Sequence, residues 1–239
     1  MTHRTDSDIW WPAAKLEERN ESEDFDLRQL QEIVNGKRKL VAWWVSSCET
    51  NSKRESYVKE LQKFVSVDTF GSCGSLSCPR KHEKECSEML KREYKFYLSF
   101  ENSICLDYIT EKFYDRLNDF VVPIILRGSD YRQLTPEGRP KAPERSFIAA
   151  DDFKSPAKLA DYLRFLDRNQ TEYLKYFLWR KHWIVRDYYH QGYSNPALCQ
   201  LCEKLHNETK PSVMVDLNGW WFGKAGSPVC VKNFGEKLL

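Results

Sequence analysis

The chain has 239 residues, enough to bury one large core or two modest ones. Its 37 basic and 35 acidic residues leave a formal charge of +2, and Trp, Tyr and Phe are abundant at 8, 12 and 13. Such a balance argues against a nucleic-acid or membrane-surface protein, which carries a large excess of one sign or a dense basic patch.

Residues 1–36 are charged and weakly periodic, with Asp6-Ser7-Asp8, Trp10-Trp11-Pro12 and an acidic stretch from Glu17 to Asp26. They read as a linker with a short helix. Met1 to Asp8 shows neither the basic nor the apolar region of a signal peptide, and no segment reaches the apolar length of a membrane span. The expectation is therefore a fragment, or a gene product that has lost its start.

Residues 37–190 are read as one α/β domain. The cluster Lys37-Arg38-Lys39 is a solvated lead-in to the apolar run Leu40 to Val45, which has the composition of a buried parallel strand. Helical spacing follows over 53–65, a short strand at 67–71, and a cysteine-bearing excursion to about residue 86. Tyr94 to Phe100 is the third strand, 107–119 a helix, Val121 to Leu126 a fourth strand, 128–146 a long surface loop and Ser146 to Ala150 a fifth strand. Helices are expected at 155–168 and 170–180, and a tail over 191–239 carries a Cys199–Cys202 helix and Cys230. Strand–helix alternation of this kind means a Rossmann-like, doubly wound domain with a mostly parallel sheet.

The stretch from Tyr97 to Phe113 carries the chemistry. It reads as a buried strand, a polar turn and a helix opening with charged groups, the junction where α/β proteins place phosphates. Spacings of three and four put Tyr108, Glu111 and Lys112 on one helical face. A carboxylate there accepts hydrogen bonds from sugar hydroxyls, and a lysine there neutralises a departing diphosphate. Spacing alone favours a Glu–Lys surface pair with Tyr108 in the core; the preceding strand and Glu101-Asn102-Ser103 turn the reading to a ligand site. Arg54, at the start of the helix after the first strand, has the planar fork that grips phosphate, although position alone favours an exposed helix arginine. Asn102 and Ser103 sit in the turn, where short polar side chains serve backbone groups as readily as a ligand.

Eight cysteines and three N-x-S/T sequons, at Asn20, Asn169 and Asn207, favour an oxidising secretory compartment. Cys73, Cys78, His82 and Cys86 could in principle hold zinc, and Cys199, Cys202 and His206 add to that alternative. Their spacing matches no common zinc module, so disulfides are preferred, with a bridge among Cys73, Cys78, Cys86 and Cys105. Asp6, Asp8, Asp151 and Asp152 are read as solvated or capping aspartates, and no metal site is assigned.

Several runs together resemble one family: Thr2 to Asp8, Val41 to Cys48, Val67 to Gly71, Lys95 to Lys112, Val122 to Ile125 and Ser146 to Phe153. The family is that of the α-1,3-fucosyltransferases, glycosyltransferase family 10, of GT-B fold. The resemblance implies that residues 37–190 are the GDP-fucose-binding, C-terminal Rossmann-like domain, with 1–36 from the interdomain region. It gives Arg54 and Lys112 the diphosphate, Glu111 the sugar hydroxyls of the nucleotide, Tyr108 a wall of the donor pocket and Asn102 a place beside the donor. It implies inverting transfer of L-fucose to N-acetylglucosamine of glycoprotein or glycolipid glycans, with no obligatory metal or other cofactor. Family members are type II proteins on the lumenal side of the Golgi membrane, so membrane attachment is expected only through an N-terminal anchor missing here. The acceptor site and general base are likewise expected in a missing N-terminal half, to which Cys199 and Cys202 would bridge. The alternative is a catalytically incompetent short form that binds nucleotide-sugar or a partner chain. A zinc-binding module ranks behind both.

Overall fold

The computed structural model describes residues 1–20, 26–188, 196–208, 213–224 and 226–239, and of residues 80 and 83 the backbone alone. In chain order the elements are β1 (Ala14–Glu18), α1 (Leu27–Gly36), β2 (Lys39–Trp44), α2 (Arg54–Leu61), β3 (Val67–Phe70), α3 (Glu83–Glu93), β4 (Tyr94–Leu98) and β5 (Ile104–Cys105). Then come α4 (Glu111–Asn118), β6 (Val122–Ile125), α5 (Gly128–Tyr131), β7 (Ile148–Ala149), α6 (Pro156–Arg168), α7 (Gln170–Leu174) and β8 (Trp183–Asp187). The tail holds α8 (Ala197–Asn207), α9 (Leu217–Phe222), β9 (Gly223–Lys224), β10 (Ser227–Pro228), β11 (Cys230–Val231) and α10 (Phe234–Lys237).

The apolar runs of the sequence become a five-stranded sheet in the order β3-β2-β4-β6-β7. All four pairings are parallel, with Val41 beside Val67 and Phe96, Phe96 beside Val122, and Ile124 beside Ile148. The doubly wound expectation holds, and helices on both faces explain why the inner strands are mainly apolar rather than alternating, while edge strand β3 keeps Asp68 and Thr69. Val41, Trp43, Phe96, Leu98, Val122 and Ile124 face one layer, built from Leu30 and Val34 of α1, Tyr57 and Leu61 of α2, and Leu159 and Leu163 of α6. On the other face Ile125 meets Phe113, Tyr114 and Leu117 of α4, while Ala42 and Tyr97 meet Leu90 of α3. Truncating a side chain as buried as Leu163 costs about 2–5 kcal/mol. Helix starts follow their local chemistry: Asp26 caps α1 through the amides of Arg28 and Gln29, and Ser155 caps α6 just ahead of Pro156.

Five sequence expectations are corrected. Lys37, read as part of a solvated lead-in, is buried, and its amine donates to the Lys91 and Tyr94 carbonyls. Residues 14–18, read as linker, form β1, which pairs antiparallel with β8 and sets Leu16 opposite Val185. Lys15, Glu17 and Glu18 mask the period-two pattern, although Ala14 and Leu16 are buried. The cysteine excursion contains α3, whose charge-rich face leaves Leu90 as its buried apolar anchor. The loop 128–146 is a surface feature only in part, since Tyr131, Lys141 and Ala142 are buried. The helix expected from residue 107 begins at Glu111, because Asp107 is left-handed at φ 61 and Thr110 supplies the N-cap.

Candidate functional site

Strands β2 and β4 are neighbours, yet β2 leads through α2 to β3 on one side and β4 leads through α4 to β6 on the other. The chain direction reverses between them, so a crevice opens beyond their carboxyl ends, where doubly wound proteins bind ligands. Its walls are the segment after β2 and the turn Ser99 to Asn102 after β4. Ser52 staples the two: its hydroxyl donates to the Glu101 carbonyl at 2.7 Å and its amide to the Asn102 carbonyl at 3.0 Å.

Arg54 is the first residue of α2, as expected, and its side chain turns inward, 4 % exposed. One guanidinium nitrogen donates to the Phe100 carbonyl, and the buried Nε has no hydrogen-bond partner in the protein. Burial lowers its pKa, with Glu101 and Glu55 opposing. A donor buried without a partner is costly unless a ligand oxygen completes it.

Glu101, a residue that sequence reasoning left without a role, is the centre of the cluster. It is buried; its Oε1 accepts from the Thr110 amide at 2.9 Å and hydroxyl at 2.6 Å, and Oε2 lies 3.3 Å from Lys112 Nζ. Burial raises its pKa against the pull of Lys112. Lys112 Nζ also lies 3.0 Å from the Thr110 hydroxyl and 3.1 Å from Glu111 Oε1. Burial disfavours its charge, but the Glu101 and Glu111 carboxylates outweigh burial and raise its pKa. Burial opposes the Glu111 charge as well, and Lys112 nonetheless holds its carboxyl below the ordinary range. Glu111 and Lys112 thus stand as an ionised pair in the first turn of α4, where the Thr110 hydroxyl caps the Lys112 amide and the Thr110 carbonyl takes the Phe113 amide.

Tyr108 is not on the α4 face with them, as spacing suggested, but in the preceding turn. It still reaches the same place: half-buried, it shares with Glu111 a cavity of about 260 Å³ that Thr2, His3, Trp11 and Thr110 also line. A tighter crevice between Glu101, Ser103, Tyr108, Asp130 and Tyr131 adjoins it. Burial raises the Tyr108 pKa and Glu101 adds to the shift. Asn102 is exposed at the mouth of the turn, and its backbone carbonyl takes the Ser52 amide.

Asp107, Lys141 and Thr5 form a second cluster invisible in the sequence. Asp107 pairs with Lys141 Nζ while accepting from the Thr5 amide at 2.8 Å and hydroxyl at 2.7 Å. Lys141 also donates to Gln133 Oε1 at 2.9 Å. The first residues of the chain and the loop 128–146 are thereby tied to the turn that presents Tyr108. Contacts over 34 and 102 positions of sequence leave no local signal.

The cysteines form bridges Cys48–Cys73, Cys78–Cys86 and Cys105–Cys230. One of these lies within the expected group; Cys73 and Cys105 take partners outside it, and with three of its ligands in bridges the zinc alternative falls. Among the described residues there is no cluster of three metal-ligating side chains. Cys199 and Cys202 are free, exposed thiols. Asp6 accepts from Arg4 and Trp220, Asp8 pairs with Lys204, Asp151 takes the Gly128 amide and Asp152 pairs with Arg132. Asn20, Asn169 and Asn207 are described, but Glu21, Ser22 and Thr209 lie outside the described residues.

Comparison with known proteins matches this arrangement to one group. A family model for glycosyltransferase family 10 (fucosyltransferase), C-terminal region, covers residues 34–220. Alpha-(1,3)-fucosyltransferase C of Drosophila melanogaster is 38 % identical over 240 residues, spanning 93 % of this chain and 53 % of the relative. Glycoprotein 3-alpha-L-fucosyltransferase A of the same organism is 41 % identical over 232 residues, spanning 93 % of this chain and 42 % of the relative. A crystal structure of alpha1,3-fucosyltransferase with GDP-fucose superposes with a TM-score of 0.53 at 22 % identity, covering 79 % of this chain and 56 % of that one, a likeness of fold. The chain spans about half the length of the curated relatives it matches. The fold is that of the C-terminal domain of a GT-B glycosyltransferase, and by sequence the chain belongs to glycosyltransferase family 10, the fucosyltransferases.

Proposed function

We propose that this chain is the donor-binding half of an inverting α-1,3-fucosyltransferase, holding GDP-fucose while L-fucose passes to N-acetylglucosamine of a glycoprotein or glycolipid glycan. One observation carries the proposal: Glu111 and Lys112 stand as an ionised pair in the first turn of α4, braced by buried Glu101, in the turn whose Phe100 carbonyl Arg54 holds. As the bond from the anomeric carbon to phosphate breaks, negative charge grows on the leaving diphosphate. Lys112 and the positive end of the α4 dipole meet that charge, and a phosphate oxygen completes the unpaired Nε of Arg54. Glu111 accepts from vicinal hydroxyls of the nucleotide sugar, and Tyr108 and Asn102 wall the pocket. Two cations and a helix terminus supply the positive charge, so the proposal requires no metal or other cofactor.

Inverting attack also needs a base for the acceptor hydroxyl, an effect typically worth about 10²–10⁴-fold. Glu101 is held by Thr110 and Lys112, and Glu111 by Lys112, so we assign the base to the acceptor half of the enzyme. The three cystine bridges support a place on the lumenal side of the Golgi membrane.

Calorimetric titration of GDP-fucose into the oxidised protein tests the donor site. Saturable binding is expected, weakened about tenfold or more in Lys112→Ala and Arg54→Ala and less in Glu111→Gln, a tenfold loss being about 1.4 kcal/mol. A folded wild-type chain that takes up no GDP-fucose would overturn the proposal.

A further inference from the structure

Helix α6 ends at Asn169, whose amide donates to the Phe165 carbonyl at 3.0 Å, so Phe165 lies one turn before it. The same asparagine starts the next helix: its Oδ1 accepts from the Glu172 amide at 3.2 Å as the N-cap of α7. The side-chain oxygen is thus employed and the side-chain nitrogen is the end left for chemistry. Asn169-Gln170-Thr171 is also a sequon, with Thr171 exposed. Asn169, Phe165, Arg164, Arg168 and Thr171 line one open groove of about 690 Å³. Phe165 is 48 % exposed there, its ring stacked at 6.1 Å on Tyr162, which leaves an apolar face toward solvent.

We propose that Asn169 carries an N-linked glycan whose first N-acetylglucosamine lies in this groove against Phe165. The inference rests on the lumenal placement proposed above. In the attachment, Asn169 Nδ2 forms a bond to the anomeric carbon of a polyprenyl-diphosphate-linked oligosaccharide. The bond from that carbon to the diphosphate oxygen breaks, the diphosphate leaves with the bonding pair, and the amide gives one proton to a base of the transferring enzyme. The product is still an amide, so its carbonyl oxygen continues to cap α7. A pyranose ring gathers C–H groups on one face and hydroxyls at its rim. That suits it to an aromatic flanked by Arg164 and Arg168, and its length of reach is set by the covalent link at the groove's own edge.

The full chain, produced in animal secretory cells, is mapped for glycopeptides and melted thermally. Asn169 is expected to be occupied. Thr171→Ala, which leaves the cap intact, should lose one glycan and lower Tm by about 2–4 °C. Asn169→Asp, which keeps a capping oxygen, should do the same. Phe165→Ala should lower Tm in the glycosylated chain but hardly in the Thr171→Ala background; equal losses in both would overturn the seat against Phe165. An empty Asn169 in a chain glycosylated at Asn20 or Asn207 would overturn this inference alone. Empty sequons in a chain with reduced cysteines would overturn the lumenal placement with it.

Discussion

Glu101 is an acid that burial would neutralise, and Lys112 is the cation that keeps its charge tolerable. Lys112→Ala should therefore cost more than a surface ion pair, about 1–3 kcal/mol, because it strands a buried carboxylate. Adding Glu101→Gln should recover much of the loss, since the new amide oxygen still accepts from Thr110. Urea unfolding of the four members of this cycle measures the coupling directly. Lys37 poses the opposite problem. Buried with its amine donated to the Lys91 and Tyr94 carbonyls, it is pushed down to about 7 by burial, with Asp119 opposing. Between about 7 and the ordinary 10.5 the unfolded chain binds this proton and the folded chain does not. Stability should then rise with pH across that window, by at most about 1.4 kcal/mol per pH unit, and level off below about 7, where both states hold the proton. Denaturant midpoints at pH 7 and 9 check this, and Lys37→Met should flatten the slope.

At the scale of elements, α10 and β11 act on a site far away in sequence. β11 pairs antiparallel with β5 just ahead of Tyr108, and Cys230 bridges Cys105 within that pair. α10 then packs on the start of α2, with the Gly235 amide donating to the Ser52 carbonyl at 2.7 Å. A Cβ on Gly235 would lie 2.3 Å from the Lys53 carbonyl oxygen, against backbone that cannot give way. Gly235→Ala should cost about 1–3 kcal/mol, seen as a lowered Tm, and should loosen the turn that aims Arg54. The sequence announced the stretch from Tyr97 to Phe113 but not this clasp. Four of the five sheet strands are legible because each is a short, mainly apolar run, while edge strand β3 carries Asp68 and Thr69 between Val67 and Phe70. β5 and β11, two residues each, exist only through each other, and β1 needs β8. Arg54, Glu111 and Lys112 stood out through the family resemblance of their segments, since type and spacing alone suit surface residues. Glu101 and Asp107 did not, because their roles come from partners that only the folded chain supplies.

Across the whole molecule, stability is graded from the sheet outward. β2, β4 and β6 are covered on both faces, whereas α9 buries no residue and α8 buries only Ala197. Hydrogen exchange should find the slowest amides in the three central strands and the fastest opening in α8 and α9. Uniform protection across both groups would refute that gradient. The three bridges are graded too, with partners 8, 25 and 125 residues apart. On a growing chain Cys78 and Cys48 meet their partners almost as soon as they emerge. Cys105 must wait for 125 further residues, roughly 6–25 s at ordinary synthesis rates. Throughout that interval the thiol beside Tyr108 is open to wrong pairings, Cys199 and Cys202 among them. The last bond to close is therefore the one that fixes the turn ahead of α4, and correct maturation of the crevice depends on an isomerase more than maturation of the sheet does.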